Sequence, residues 1–478
     1  MSVGPQFALN VFAQGLARVL SIGANIVLMV VIARTMGTAF FGQFSYLLAF
    51  STIAVALADL GTTAVLARGL GQQVKERSAY LGNFLLMRVA LTLAVMVGAG
   101  AIAFVLPGDL VLALLIVVAG LPFLATRFFE PIFQVYGRPW LSPWSTMAFA
   151  IAQLLLAFYV WSVPGLSVAQ VATGIVLTNI VYTAVALWLM LSVVKPDMRP
   201  RRDLLRDLLH IAAPVGVSSI FTTIILRADV IFLEHLRTST EVGLYSAAYR
   251  VLDLAVFVSI TVITPLIPIL ASQIGRDKAA ALIDCRMAAQ FAGLFALPAA
   301  IALPAVGPSI LSTVLGNEFI GAAAPLNVLA WNFVFIVFAL LGSSINLANG
   351  QVAHGYWNAP LACLINLWLN FLLIPRFGMV GAAWAAVASQ LFMLVVSEYY
   401  LFTRFGNLYE PRVWGRILAA CGMLWGCLQL TEPLGPWASV SLSLALYGVL
   451  VIWLGLLPRK IIDTVFTERV KRRIRPGT

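Results

Sequence analysis

Apolar stretches long enough to cross a membrane follow one another along almost the whole of this sequence. Each runs for about 20 residues, the length at which a helix spans a hydrocarbon core of about 30 Å. About fourteen such stretches lie between Val11 and Leu457, among them 110–129, 143–163, 168–193, 358–374 and 379–402. With 61% apolar residues, 10% charged residues and a mean hydropathy of +0.97, the chain has too little polar surface to coat a soluble globule. The sequence therefore predicts an all-α polytopic membrane protein of about fourteen spans.

Two short sequence echoes predict an internal duplication. The run GQFSYLLAF from Gly42 returns as GLYSAAYRV from Gly243, with a glycine, an aromatic residue and a serine in common. A second pair of runs matches around Gly165 and Gly378. Such a shift of about 200 residues indicates two related halves.

The charged run KPDMRPRRDLLRDLLH from Lys195 separates the two halves. We therefore predict four regions: an N-terminal six-helix lobe at 1–193, a basic cytoplasmic hinge loop at 194–210, a C-terminal six-helix lobe at 211–403, and two extra helices with a basic cytoplasmic tail at 404–478. Because six is an even number of spans, the two lobes should share one orientation and be related by an axis along the membrane normal.

Basic residues give the chain a net charge of +11, and their placement indicates topology rather than nucleic acid binding. If the N-terminus is cytoplasmic, about 23 of the 30 basic residues fall on the inner side and about three on the outer side. Both termini are therefore expected in the cytoplasm.

The motifs of several enzyme classes are absent from the sequence. There is no GxxxxGK[ST], the three histidines lie far apart without HExxH, and the four cysteines form no CxxC pair. We therefore expect no nucleotide hydrolysis, no metal site and no cofactor.

The first predicted helix carries a polar face. Asn10, Gln14, Arg18, Ser21 and Asn25 follow at spacings of four, four, three and four, which places them on one side of a helix. A charge near the bilayer centre costs about 2.5–3.5 kcal/mol even on the lenient insertion scale. Arg18 is therefore expected to face a hydrated cavity or a partner inside the bundle.

Further polar residues occur in other predicted spans. Arg250 and Asp253 are three residues apart and can pair on one face of the eighth helix, whereas Arg227 and Asp229 of the seventh do not share a face. Asn366 and Asn370 share a face of the eleventh. Together these residues predict a large hydrated interior.

Two motifs resemble those of polysaccharide and O-antigen (Wzx-like) flippases, in the multidrug, oligosaccharidyl-lipid and polysaccharide exporter superfamily. One is ARTMGTAFFGQFSY from Ala33, followed by a helix and ADLG at Ala58–Gly61. The other is VGLYSAAYRVLD, Val242–Asp253. The resemblance implies alternating-access transport of an undecaprenyl-diphosphate-linked oligosaccharide across the bacterial inner membrane, for cell-surface polysaccharide or O-antigen export.

The resemblance also implies roles for residues and partners. Arg18, Arg227 and Arg250 are the diphosphate-binding candidates, because the forked guanidinium suits phosphate oxygens. The cavity and coupling candidates are Asn10, Gln14, Asn25, Asp59, Asp253, Asn366 and Asn370. Expected partners are the lipid-linked oligosaccharide, membrane lipid, and the polymerase and chain-length proteins of the same pathway, with no nucleic acid.

Four alternatives stay open at this point. A lipid II flippase would share the fourteen helices and the cationic cavity, whereas a cation-coupled multidrug exporter should be dominated by carboxylates. A membrane polymerase or ligase would need a sizeable outer loop, which is not predicted here. A non-transporting scaffold would leave the intramembrane arginines without a purpose.

Overall fold

The computed structural model describes residues 5–72, 76–105, 110–263, 278–348 and 355–456. Over these ranges the secondary structure is helical, with turns, short 3-10 segments and no strand. The helices are α1 Pro5–Asp59, α2 Thr62–Gln72, α3 Arg77–Val105, α4 Val111–Ala119, α5 Leu121–Leu124, α6 Phe129–Val135, α7 Ser142–Ser162, α8 Val168–Val193, α9 Arg202–Leu236, α10 Ser239–Ile263, α11 Lys278–Val314, α12 Ala323–Ala348, α13 Gly355–Phe405, α14 Pro411–Thr431 and α15 Pro436–Trp453. The predicted all-α class is confirmed. The predicted basic tail lies outside the described residues.

Within those ranges, ten helical stretches are long and apolar enough to cross a membrane, or eleven if the bent pair Val111–Ala119 and Leu121–Val135 counts as one span. Two of the ten are broken at a glycine. Gly37 in α1 has φ 78° and Gly378 in α13 has φ 55°, a region that suits glycine because it has no Cβ. The chain is a multi-pass membrane protein, and the number of fourteen spans stays a prediction.

The break in α1 involves one glycine where the sequence predicts two. The run IARTMGTAFFGQFSY, 32–46, predicts a short outer loop with Gly37 and Gly42 as helix breakers. Only Gly37 leaves the helical conformation, and Gly42 is buried within the continuing helix.

The chain forms two compact units. The first contains Met1–Ser246 and Asn370–Gly378, and the second contains Ala247–Leu369 and Met379–Thr478. An aromatic core that includes Phe84, Phe133 and Tyr182 joins α2, α3, α6 and α8 in the first unit. In the second unit, α14 and α15 pack on α11. The predicted lobes at 1–193 and 211–403 stay predictions.

The connection between α8 and α9 is held against the start of α3. The Ser78 hydroxyl donates to the carbonyl of Lys195 at 2.5 Å, and the amide of Asp197 donates to the Ser78 carbonyl at 3.0 Å. A Cβ added to Gly82 would lie 1.7 Å from the Asp197 carbonyl oxygen, so only glycine permits this close approach. The connection is therefore docked on the first unit along its length.

Asn83 fastens the same connection from inside the helix. Its buried side chain donates to the Arg199 carbonyl at 3.1 Å and accepts from the Arg201 amide at 2.7 Å. Helix α9 begins directly afterwards, at Arg202. The second half of the predicted hinge loop at 194–210 is thus helical, because Leu204 and Leu208 bury an apolar face there.

Candidate functional site

The first group of candidates, Arg18 and its neighbours, lies on the polar face of α1. Arg18 is exposed, while Asn10, Gln14 and Asn25 are half-buried. The Gln14 amide donates to the Pro139 carbonyl at 3.2 Å. In the part of the chain that the structure describes, no carboxylate pairs with Arg18.

The second diphosphate candidate, Arg227, lies on α9. It is half-buried, and across the described ranges it too has no ion-pair partner. Asp229, two residues further on, is 1% exposed and directed to other partners. The first unit therefore holds two guanidinium groups, Arg18 and Arg227, whose charge no carboxylate balances within the described residues.

Asp59, predicted as a cavity residue, is half-buried and forms an ion pair with the buried Arg88 of α3. The Arg88 guanidinium also donates to the Thr62 hydroxyl at 3.0 Å and to the Ala125 carbonyl at 2.7 Å. Arg88 is 6% exposed. This arginine therefore links the end of α1 to α2 and α5. The opposite charges of Asp59 and Arg88 balance each other.

The ADLG motif makes the turn that brings Asp59 to this position. Its carboxylate accepts from the Thr63 hydroxyl at 2.5 Å and from the Thr63 amide at 3.3 Å, as an N-terminal cap of α2 does. Gly61 has φ 73°, and a Cβ added there would lie 2.5 Å from the Gly216 amide nitrogen. The motif therefore has a clear packing role in this structure.

Asn370 belongs to a buried network in the first unit. The Tyr245 hydroxyl and the Asn370 amide both donate to the Asp229 carboxylate at 2.6 Å. All three side chains are at most 1% exposed. The network joins α9, α10 and α13 through one ionisable group.

The other candidates lie in the second unit. Asn366 is fully buried and donates to the Ser389 hydroxyl at 3.2 Å. Arg250 and Asp253 are 3.6 Å apart on α10, with 31% and 44% of their side chains exposed. The pairing expected from their spacing is present, and it is partly open to solvent.

The sequence indicates the positions of these polar groups but not their partners. Arg88 and Asp59 are 29 residues apart, and Asn370 and Asp229 are 141 apart, so no local spacing indicates either contact. Their charge and polarity in apolar surroundings were the available signal, since such groups need partners. Among the described residues, two of the three diphosphate candidates, Arg18 and Arg227, have no carboxylate partner.

The fold and these residues together define a polytopic helical membrane protein in which the span residues Arg18 and Arg227 have no carboxylate partner among the described residues. The sequence pattern of the family described as "Polysaccharide biosynthesis protein" matches residues 7–273, more than half of the chain. The chain belongs to this family.

Two similar proteins support the same assignment. The chain is 25% identical over 278 residues to the "Probable low-salt glycan biosynthesis flippase Agl15" of Haloferax volcanii, covering 56% of this chain and 57% of the relative. It is 23% identical over 200 residues to the "Capsular polysaccharide biosynthesis protein CapF" of Staphylococcus aureus, covering 42% and 50%. The chain thus spans about half the length of the curated relatives it matches.

A solved structure shows the fold over nearly the whole chain. The "Lipid II flippase MurJ, inward closed conformation" has a TM-score of 0.74 and covers 95% of this chain and 100% of its own. At 13% identity the likeness shows the fold alone.

Proposed function

We propose that this chain is a flippase that moves an undecaprenyl-diphosphate-linked oligosaccharide across the bacterial inner membrane by alternating access. The exported sugar would enter cell-surface polysaccharide or O-antigen. The family and the glycan-biosynthesis relatives support the class of cargo. The observation that carries the proposal is the pair of guanidinium groups at Arg18 and Arg227 without a carboxylate partner in the described chain.

The electrostatic argument starts from the cost of such charges. An arginine in a span costs about 2.5–3.5 kcal/mol, and pairing with a carboxylate is the usual way to reduce this cost. Arg88 is paired with Asp59. No carboxylate of the described residues pairs with Arg18 or Arg227, so a negatively charged ligand can supply the counter-charge. A diphosphate offers several oxygens to the N–H donors of each guanidinium group.

The remaining candidates take supporting roles in this proposal. Gln14 and Asn25 are half-buried on the face that carries Arg18, where amides suit sugar hydroxyls. Arg250 is the third diphosphate candidate, since a partly exposed ion pair with Asp253 contributes only about 0–1 kcal/mol and is easily exchanged. The prenyl tail stays in the bilayer, so only the headgroup crosses.

A structural role is proposed for three of the predicted cavity residues, Asp59, Asn366 and Asn370. Each is held by a protein partner within its own unit, namely Arg88, Ser389 and Asp229. We propose that they fix the helices that carry the binding residues. Asn370 also keeps its predicted role as a cavity or coupling residue.

Orientation and partners complete the proposal. The asymmetry of basic residues supports cytoplasmic termini and a cytoplasmic connection before α9. The chain would work as a transporter without enzymatic activity, beside the polymerase and chain-length proteins of its pathway.

The test is polymer export in a strain that lacks its own flippase and carries this chain. Wild type should restore surface polysaccharide, Arg18→Ala and Arg227→Ala should abolish it, and Arg18→Lys should retain part of it because the charge remains. Arg202→Ala, on an exposed residue at the start of α9, is the matched control and should export normally.

Membrane levels of every variant should be equal by immunoblot. Full export by both alanine variants would overturn the proposal. Rescue of a strain depleted of its lipid II flippase, without rescue of polysaccharide export, would assign the cargo to lipid II instead.

A further inference from the structure

The second unit contains a cavity of about 330 Å³ near the end of α13. The side chains of Glu398, Tyr399 and Phe402 line it from the helix, and Tyr409 lines it from the turn that follows. Glu398 is seven residues before the helix end at Phe405, which corresponds to about 10 Å along the axis. The cavity therefore lies close to the level at which this span meets the aqueous interface.

Glu398 is the single charged group among these lining residues. It is half-buried, and the Tyr409 side chain lines the same cavity. No lysine or arginine of the described chain forms an ion pair with it. A carboxylate in apolar surroundings without a counter-charge favours a cationic ligand.

Aromatic rings surround this carboxylate. Tyr399 and Phe402 are 64% and 60% exposed, so their ring surfaces are open to a ligand, and Tyr409 closes the opposite side. The face of an aromatic ring carries negative charge density and attracts a cation within about 6 Å of its centroid. Three rings with one carboxylate suit a large, weakly hydrated cation, whereas calcium or magnesium requires about six oxygen ligands.

The turn that carries Tyr409 is fixed before any ligand arrives. Gly406 has φ 77°, and the Asn407 side chain accepts from the Tyr409 amide at 2.8 Å. The Arg286 guanidinium donates twice to the Asn407 carbonyl, at 3.1 and 2.9 Å. This arginine is thereby held on the backbone of the turn.

The Tyr409 ring is also packed from behind. Its centroid is 5.1 Å from that of Trp414 and 6.4 Å from that of Phe338. Burial raises the pKa of Tyr409, and the neighbouring carboxylate raises it further, so its hydroxyl stays protonated at physiological pH. A preorganised aromatic wall of this kind loses little entropy on binding.

We propose that this pocket binds an organic ammonium group, with Glu398 as the counter-charge and the rings of Tyr399, Phe402 and Tyr409 as the enclosing walls. The group can come from a small soluble amine or from the ethanolamine headgroup of a membrane lipid. The position of the pocket near the end of a span is compatible with either source. The proposal is independent of the flippase activity and of Arg18 and Arg227.

The experiment uses the full chain in lipid nanodiscs. In the soluble arm, tetramethylammonium and ethanolamine are titrated by calorimetry into discs of phosphatidylglycerol. In the lipid arm, native mass spectrometry counts the phosphatidylethanolamine molecules retained from mixed discs. Glu398-dependent binding in the first arm identifies a soluble amine, and in the second arm a lipid headgroup; either result supports the proposal.

We expect Glu398→Gln to weaken binding at least about tenfold, since it removes the charge and keeps the shape. Phe402→Leu should weaken it about threefold or more, and because this side chain is exposed the variant tests the proposal even if Glu398→Gln fails to fold. Glu410→Gln, on an exposed carboxylate of the same turn that does not line the cavity, is the matched control. Absence of saturable binding in both arms, or unchanged binding in Glu398→Gln and Phe402→Leu, would overturn the proposal.

Discussion

Gly42 of α1 and Gly243 of α10 contact each other reciprocally. A Cβ added to Gly42 would lie 1.8 Å from the carbonyl oxygen of Ser239, one helical turn before Gly243. A Cβ added to Gly243 would lie 2.1 Å from the carbonyl oxygen of Thr38, one turn before Gly42. Each glycine thus permits the close approach of the other helix, as small residues do between membrane helices.

A shift of 201 residues relates the two sides of this contact: Thr38 corresponds to Ser239, and Gly42 corresponds to Gly243. It also relates Phe44 to Tyr245, both at most 1% exposed, and Ser45 to Ser246. The hydroxyls of these two serines are buried without a hydrogen-bond partner within the described chain. A reciprocal contact between equivalent residues is what a two-fold relation between duplicated segments would generate. It supports the duplication predicted from the sequence.

Alanine at either glycine should separate the two helices. Because the added methyl group would overlap backbone atoms, we expect Gly42→Ala and Gly243→Ala each to lower the free energy of unfolding by about 1–3 kcal/mol. Thermal unfolding of the purified protein in detergent measures this change. Gly15→Ala is the control, since a Cβ there meets no atom within 4 Å. Equal melting temperatures for all three variants would refute the close contact.

The Asp59–Arg88 ion pair should behave as a coupled unit. Removal of Asp59 leaves the buried Arg88 guanidinium without its counter-charge, so Asp59→Asn should cost about 3–5 kcal/mol. Arg88→Gln should cost less, because the Asp59 carboxylate is 22% exposed. The double variant should cost clearly less than the sum, and a double-mutant cycle of thermal unfolding measures the difference. Glu76→Gln, which breaks the exposed pair with Arg201, should cost about 0–1 kcal/mol. Simple additivity at Asp59 and Arg88 would contradict the ion pair.

Release of the connection before α9 should expose it to protease. Asn83→Ala removes two hydrogen bonds to this segment, so we expect cleavage by trypsin after Arg201 or Arg202 to become about tenfold faster. Asn179→Ala is a matched control, because that buried amide bonds only within α8, to Ile175. Equal cleavage rates for Asn83→Ala and wild type would mean that Asn83 does not hold the connection.

The helices were largely predictable because apolar runs and glycine breaks are local signals. The span predicted at 168–193 agrees with α8, and that at 143–163 is within one residue of α7. The predicted division between 374 and 379 coincides with the break at Gly378. By contrast, the predicted span at 110–129 contains two helices, α4 and α5, which are divided at Gly120. Pro122, in the first turn of α5, interrupts the ladder of hydrogen bonds there.

The site was less predictable because its decisive contacts join distant segments. Arg250 and Asp253 could be paired from their spacing, whereas the partner of Asp59 is on another helix. The cavity at Glu398 forms because the turn after α13 places Tyr409 beside that helix. Such adjacency follows from packing, and no periodicity in the sequence encodes it.

The role of Arg250 can be separated from that of its ion pair. If Arg250 binds the diphosphate, Arg250→Ala should reduce polysaccharide export about tenfold or more, and adding Asp253→Ala should not restore it. If Asp253 only pairs with Arg250, Asp253→Ala alone should export nearly as well as wild type, because an ion pair of this exposure contributes little. Loss of export by Asp253→Ala would instead assign it the predicted coupling role. Export assays with the three variants decide the matter. Restored export in the double variant would reduce Arg250 to a structural residue.

Direct binding of a prenyl diphosphate tests the central claim, that Arg18 and Arg227 hold the diphosphate. Farnesyl diphosphate, farnesyl monophosphate and farnesol are titrated into the purified chain by calorimetry. Wild type should prefer the diphosphate, and Arg18→Gln and Arg227→Gln should each weaken its binding about tenfold or more while farnesol binding stays unchanged. Equal affinity of wild type and both variants for farnesyl diphosphate would contradict the account.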